Sequence, residues 1–545
     1  MRRTVLRSSI VASMLVLVTA QPSNVIAQTS VGETAQRAST GRQISPSAPG
    51  HLDNLGDFNG DGNLDLAAGA PEDDVLGKED SGTLNVIYGS SIGLRLKGNQ
   101  FWTQSRTGLS TDDKGDFFGR SAASGDFNLD GYDDLAIAAI RKRVGTGNHA
   151  GAVYVLYGTS MGLKTIGAQF WTQDSPGVPD QAGDGDLFGG SLHGADWNND
   201  GYDDLAIGAW CDTVGGFKCS GNLTILSGGP SGLTTNGVVY FDQAMPGVAG
   251  TGPALNNQFA RQTADGDYNG DGWPDISIGD RLETVNGHTE AGAINIIYGS
   301  PTGLTLAGNQ FFTEDSPGMA GNGAADGDWF GRPVTTANFN NDAYDDLLIG
   351  ARFETVEGLQ GAGAVTVMYG SAAGLSTAGS QYFNEGTAGL ASDGLEPDDC
   401  WGHQAGAGDF NNDGYDDVAI NAIDETVGGK VQAGGMTVMY GGPAGLGVAG
   451  STWWTQDTPG VPGDVVIYGW FSFYIWSKDF NRDGYDDIAI GAPGSTIGGF
   501  TTAGMVIIMN GSASGIVSNQ AKSFDQSMLR GNGAAEHDLF GGILG

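Results

Sequence analysis

Seven times, at intervals of 69 to 71 residues, this 545-residue chain writes one acidic nonapeptide of the form D-x-N-x-D-G-x-x-D. The copies are DFNGDGNLD from Asp57, DFNLDGYDD from Asp126, DWNNDGYDD from Asp196 and DYNGDGWPD from Asp267. They continue as NFNNDAYDD from Asn338, DFNNDGYDD from Asp409 and DFNRDGYDD from Asp479. A repeat this regular makes each unit one supersecondary block that buries its apolar face only against its neighbours. One closed repeat domain over residues 49–545 is expected, with units near 49–117, 118–187, 188–258, 259–329, 330–400, 401–470 and 471–545.

The second unit shows what each block is. Phe118-Gly119 opens it, and the small residues RSAASG make a first strand. After the loop from Asp126, Leu135–Ala139 is a second strand, Gly151–Tyr157 a third and Gln169–Gln173 a fourth. Helical periodicity is absent. Four antiparallel strands repeated seven times predict an all-β chain, a seven-bladed β-propeller. In such a ring each blade covers the next. Small residues such as Ser121-Ala122-Ala123 suit the crowded axis, and Phe101-Trp102, Phe170-Trp171, Phe311-Phe312 and Trp453-Trp454 suit the wide outer edge as ordinary core. Phe473-Tyr-Ile-Trp476 stands where other units have small residues, and these side chains either add to the core or fill or cap the axial channel.

The loops predict metal. Calcium takes six to eight hard oxygens, and a tight loop supplies them from alternate positions. Positions 1, 3, 5 and 9 offer side chains, and position 7 a main-chain carbonyl. The expected ligands are Asp57, Asn59, Asp61, Asn63 and Asp65 in the first loop, then Asp126, Asn128, Asp130, Tyr132 and Asp134. The third loop offers Asp196, Asn198, Asp200, Tyr202 and Asp204, and the fourth Asp267, Asn269, Asp271, Trp273 and Asp275. Next come Asn338, Asn340, Asp342, Tyr344 and Asp346, then Asp409, Asn411, Asp413, Tyr415 and Asp417. Asp479, Asn481, Asp483, Tyr485 and Asp487 complete the set. Up to seven Ca2+ ions follow. Metal-free Asx-turns are the rival explanation, since Asn, Asp and Gly all favour turns. These loops are not EF-hands, because position 12 carries Ala68 or Ile137 rather than Glu. The fifth loop departs from the rest: Asn338 removes a charge and Ala343 replaces the glycine, so strain and the weakest calcium site are expected there.

The balance of 25 basic and 63 acidic residues gives a formal charge of −38, which argues against nucleic acid as partner. Clustered carboxylates repel unless a cation joins them. Arg2, Arg3 and Arg7 before the apolar run Ile10–Ala20 and the small residues to Ala27 form a signal peptide over residues 1–27. Cleavage after Ala27 is favoured over cleavage after Ala20, and Sec and twin-arginine export both stay open. Residues 28–48, rich in Gln, Ser and Thr, form a flexible lead-in. No later run of 18 apolar residues marks a transmembrane segment. Of three cysteines, Cys211 and Cys219 flank a short connection and are expected to form a disulfide in an exported chain, while Cys400 packs as a small apolar residue.

Phe118-Gly119, Phe188-Gly189 and Phe330-Gly331 before the loops, with Gly69-Ala70-Pro71 and Gly491-Ala492-Pro493 after them, resemble the FG-GAP repeats of the integrin α-chain propeller. The resemblance implies calcium between the first two strands of the blades on one face, with protein partners on the opposite face. The chain departs from it at Phe259-Ala260, Trp401-Gly402 and Phe471-Ser472, and neither leg domains nor a membrane helix follow. Unit 1 lacks its Phe-Gly opening, whereas Phe540-Gly541 stands at the end with no loop after it. Either the tail returns to close the ring beside blade 1, or it is a truncated eighth repeat.

Two G-x-S-x-G runs, Gly89–Gly93 and Gly158–Gly162, fit a nucleophile elbow, but other units read GGPSG or GSAAG there and no helix follows. The chain is therefore expected to be a secreted or cell-surface, non-catalytic adhesion or recognition module with an extracellular protein or glycan as partner. A carbohydrate-active enzyme of lyase type and a passive calcium-stabilised surface protein are the alternatives.

Overall fold

In blades 2 to 7 the acidic loop joins the two innermost strands of one sheet, in blade 1 it leads into the second, and seven such four-stranded antiparallel sheets form the molecule. The structure, a computed structural model, describes residues 56–531 and 533–544. The expected signal peptide, the expected lead-in and the Pro49-Gly50 start of unit 1 lie outside the described residues. Blade 2 pairs Phe118–Gly125, Asp134–Ala139, Ala152–Tyr157 and Lys164–Trp171 in that order. Its outer strand thus begins five residues before the expected Gln169. One turn of helix, Gln104–Thr107 capped by Thr103, interrupts the all-β pattern.

Second strands are buried along their whole length and third strands along all or all but their last residue, as in Asp134–Ala139 and Ala152–Tyr157. They therefore read as continuous apolar runs rather than alternating ones. The core is divided accordingly. Seven hydrophobic clusters fill the gaps between successive blades, one per gap.

The Phe-Gly opening earns its place at these gaps. Phe118 N–H donates to the Ser81 carbonyl of blade 1 at 3.0 Å, and a side chain on Gly82, which has φ +82°, would collide with the Phe118 backbone. The same bond recurs from Phe188, Phe259, Phe330, Trp401 and Phe471 to the preceding blade.

The tail completes the series. Phe540, fully buried, donates from its N–H to the Ala503 carbonyl of blade 7 at 3.1 Å, and Gly541 N–H donates to Gly69 of blade 1 at 3.2 Å. Ile543–Leu544 then pairs with Leu66–Ala70 as the innermost strand of blade 1. The tail closes the ring, and blade 1 is built from both ends of the described chain. Closure leaves the first blade no free inner edge.

The axis differs from the expected lining of small residues. Blade 2 has Ser121-Ala122-Ala123 there, but the inner strands of blades 4, 5 and 6 bring Arg261, Gln262, Arg332, His403 and Gln404. Gln262 donates across the ring to Gln404 at 3.3 Å, linking blades 4 and 6. Phe473 packs on His403 with ring centroids 5.5 Å apart, while Ile475 sits in the blade 6–7 core. Phe473 and Tyr474 belong to a buried core cluster against which Trp476 packs, so the run adds chiefly to the core.

Candidate metal loops and the opposite end

At the base of each loop, position 2 is an aromatic anchor: Phe58, Phe127, Trp197, Tyr268, Phe339, Phe410 and Phe480 are at most 2% exposed. Above it the acidic side chains organise the turn. Asp126 accepts from the N–H groups of Asp130 (3.0 Å) and Gly131 (2.9 Å), and Asp130 from Tyr132 (3.2 Å). Position 9 reaches outward, Asp134 accepting from Gly158 beyond the third strand at 2.9 Å. That last bond recurs in all seven blades, from Gly89 to Asp65 through Gly511 to Asp487.

The residues fit a hard cation. Asn128 lies against Asp134, within 3.2 Å, so positions 3 and 9 share one pocket. The buried Asn411 side-chain oxygen has no donor. Burial, with the neighbouring loop carboxylates, pushes Asp204, Asp275, Asp346, Asp417 and Asp487 up to about 8, and Asp65 and Asp134 well above the usual carboxylate range. Carboxylates that crowd one another in this way gain from a shared cation, and the all-oxygen donor set suits calcium.

The fifth loop solves its turn differently from expectation. Glycines at position 6 have φ between +77° and +93° in six loops, but Ala343 is not in the left-handed region. The expected strain is absent because the backbone changes: Asn338 accepts from Asp342 N–H (3.1 Å) and its amide donates back to the Asp342 carbonyl (3.0 Å). Position 4, by contrast, is left-handed in all seven loops, including Leu129 at φ +54°.

Sequence reading missed position 8. Asp133 accepts from Asp57 N–H of the preceding blade at 2.6 Å, Asp203 from Asp126 at 2.8 Å and Asp345 from Asp267 at 2.8 Å. Asp416 and Asp486 do the same for Asn338 and Asp409 at 2.7 and 3.0 Å. These side chains stitch loop to loop. Leu64 and Pro274 hold that position in blades 1 and 4, so junctions 7–1 and 3–4 lack the stitch. The available signal was an Asp at one place in five of seven loops.

The opposite end of the blades, where first strands start and second strands finish, carries a basic cluster that sequence reading also missed. Arg120, Arg281, Arg332 and Arg352 are at most 8% exposed, and His403 is fully buried. Arg332 and His403 approach to 3.3 Å. Arg261 lies over Trp210 at 3.9 Å, and Arg281 and Arg352 lie over Trp329 at 4.2 and 4.7 Å. Among the described residues none of these five arginines forms a salt bridge. The Nε atoms of Arg120, Arg261, Arg332 and Arg352, with Arg261 Nη1, have no acceptor. Burial lowers Arg120 and Arg352 to about 10, and burial followed by mutual repulsion lowers Arg261 and Arg281 further. Tyr474, from the aromatic run in blade 7, lies buried beside Arg332 in the same field.

Cys211 and Cys219 form the expected disulfide, and Cys400 is buried and free. Ser91 and Ser160, the serines of the elbow-like runs, lie in tight turns between strands. The preceding residues, Ser90 and Thr159, close those turns on Gly93 and Gly162. No helix among the described residues is long and apolar enough to cross a membrane.

Five segments, residues 54–86, 118–156, 330–368, 401–438 and 477–509, match the FG-GAP repeat family model. Seven four-stranded blades in a closed ring make the chain a seven-bladed β-propeller, and five of its blades carry segments that match FG-GAP repeats. It is 30% identical over 224 residues to integrin alpha-5 of Xenopus laevis, covering 40% of this chain and 18% of that one. It is also 26% identical over 231 residues to phosphatidylinositol-glycan-specific phospholipase D of Bos taurus, covering 41% of this chain and 25% of that one. The chain thus spans a quarter or less of the length of these curated relatives. A rhamnogalacturonan lyase from Bacillus licheniformis aligns over 75% of this chain and 78% of its own at 10% identity and a TM-score of 0.32, a likeness that bears no argument.

Proposed function

We propose that this protein is an exported, calcium-binding, non-catalytic recognition module whose ligand carries carboxylates and docks at the end opposite the metal loops. The observation that carries the reading is the cluster of buried arginines without carboxylate partners, four of them with a guanidinium N–H that has no acceptor, in a chain of formal charge −38. Buried guanidinium N–H groups left without acceptors are costly, and an incoming carboxylate relieves them with charge-assisted hydrogen bonds. Arginines stacked on the half-buried Trp210, Trp329 and Phe353 add the residue types that dominate binding energy at interfaces. The loops serve as struts that hold the ring. The likeness to integrin α chains and to a phospholipase D that acts on a glycolipid supports an extracellular setting, and the activities of those much longer chains are not carried over.

The test is titration with an acidic glycan and an acidic protein, each beside a neutral counterpart, in calcium. Arg281→Ala with Arg352→Ala should weaken binding of the acidic ligand at least tenfold and flatten its salt dependence. Equal affinity for neutral and acidic ligands defeats the reading. Depolymerisation of an acidic polysaccharide by the parent chain would replace it with the lyase alternative.

A further inference from the structure

The blades share three more polar positions at the end away from the loops, and comparing them around the ring exposes two that are incomplete. The first follows the outer strand of the preceding blade: it is Gln104, Gln173, Gln243, Gln456 and Gln526 at five junctions, but Glu314 and Glu385 at the other two. The second lies two residues before the aromatic that opens the blade, as Asp116, Asp328 and Asp399 do. The third lies three residues after the second strand. Its carbonyl always accepts from the glycine before the third strand, as Lys142 does from Gly151 (3.0 Å) and Glu354 from Gly363 (3.1 Å). The positions are therefore equivalent in space.

Most junctions satisfy their acid. In blade 2 the third position is Lys142, whose ammonium bonds Asp116 and Asp113 at 2.8 Å each. In blade 4 the amides of Gln243 (2.9 Å) and Asn257 (2.7 Å) donate to Glu283. In blade 1 Gln526 donates to Asp73 at 3.0 Å.

Blades 5 and 6 have neither an amide nor a lysine at these positions. Glu314, Asp328 and Glu354 are 5%, 1% and 0% exposed. Their oxygens lie within 4.8 Å of one another. Neither carboxylate oxygen of Glu354 receives a hydrogen bond, nor does Glu314 Oε2. At the next junction Glu385, Asp393 and Glu425 form one such group and Glu396, Asp399 and Glu425 a second, with both oxygens of the buried Glu385 and Glu425 unpartnered. Oxygens bound to one calcium at ~2.4 Å lie at most ~4.8 Å apart, so the spacing suits one shared ion.

We propose that the blade 4–5 junction (Glu314, Asp328, Glu354) and the blade 5–6 junction (Glu385, Asp393, Glu425) each hold a calcium-type divalent cation, a second tier of metal sites at the opposite end from the loops. Lys142 of blade 2 marks the same place with a cation covalently built in.

The experiment counts calcium per full-length chain by elemental analysis, after gel filtration at a free calcium concentration that saturates the parent. Glu314→Gln, which installs the residue found at five other junctions, should remove one ion, and Glu314→Gln with Glu385→Gln at least two. Glu354→Lys, copying blade 2, should also remove one ion. It keeps the test alive should the glutamine variants fold poorly. An unchanged count in both Glu314→Gln and Glu354→Lys overturns the proposal, since the carboxyls would then hold protons instead. The readout is a difference between variants, so it stands whether or not the seven loops load.

Discussion

The two ends of the propeller treat repetition in opposite ways. At the loop end six of seven blades keep Asp at positions 1, 5 and 9, and all seven make the same bond from position 9 to a glycine beyond the third strand. At the far end, three equivalent positions hold Gln, Glu, Asp, Asn, Gly, Ser or Lys in five different combinations over the seven junctions. The difference follows from what closes each site. A loop supplies most of its own oxygens within nine residues, so each copy must carry the full set. A far-end junction draws on two blades, and an amide, an ammonium or a metal can each neutralise the same acid. One end is fixed by its chemistry, while the other is free to diversify, which suits it to recognition.

The largest effect that tests this contrast is metal removal. One calcium at 100 times its dissociation constant stabilises the fold by about 2.7 kcal/mol, so emptying several loops should lower the melting temperature by on the order of 10–20 °C. Calorimetry in calcium and in chelator measures it, and identical melting curves would remove the loops from the argument. Next comes the tail: Phe540→Ala should cost about 3–5 kcal/mol, as for a buried aromatic, and hydrogen exchange should rise first in blade 1. Unchanged exchange there would mean the closing strand contributes nothing.

In chelator the pH dependence should also reveal the crowded acids. Burial raises Asp204, Asp275, Asp346, Asp417 and Asp487 to about 8 in the fold, so the unfolded chain releases their protons first. Stability is then greatest near pH 4, declines as pH rises toward 8 and levels off above. Denaturant melts at pH 5 and pH 8.5 should differ in chelator and converge in calcium; the reverse order would contradict the assigned shifts. A smaller effect concerns the odd loop, where Asn338→Asp with Ala343→Gly should strengthen its calcium binding about tenfold by restoring a charge and the turn of the other six. Isothermal titration tests it. The smallest is Leu129→Asn, which should stabilise by about 0.5–1 kcal/mol, because an exposed leucine in the left-handed region is strained.

The fold was legible because its evidence is periodic: loops 70 residues apart, apolar strands between them, and Phe540-Gly541 left over for closure. The stitching aspartates hid in plain view. Position 8 looked like a loop filler until its partner, 76 to 78 residues away in the preceding blade, was seen beside it. The far end was illegible for a related reason. Glu314, Asp328 and Glu354 are scattered over 40 residues, and only the geometry of the sheet brings them within 4.8 Å. Ala343 promised strain by analogy with glycine, yet a local hydrogen bond from an asparagine rerouted the backbone, which no single-residue preference foretells.

The missing stitches at Leu64 and Pro274 give the ring two seams. Blades 1–3 form one arc and blades 4–7 another, each laced along its loop end by aspartates, and a cleft lined by Trp197, Tyr202 and Leu304 already lies at the seam between blades 3 and 4. A propeller built this way has fracture planes. Pulled or heated, it should part like a bracelet at its two clasps, into a trio and a quartet of blades, before any single blade comes away.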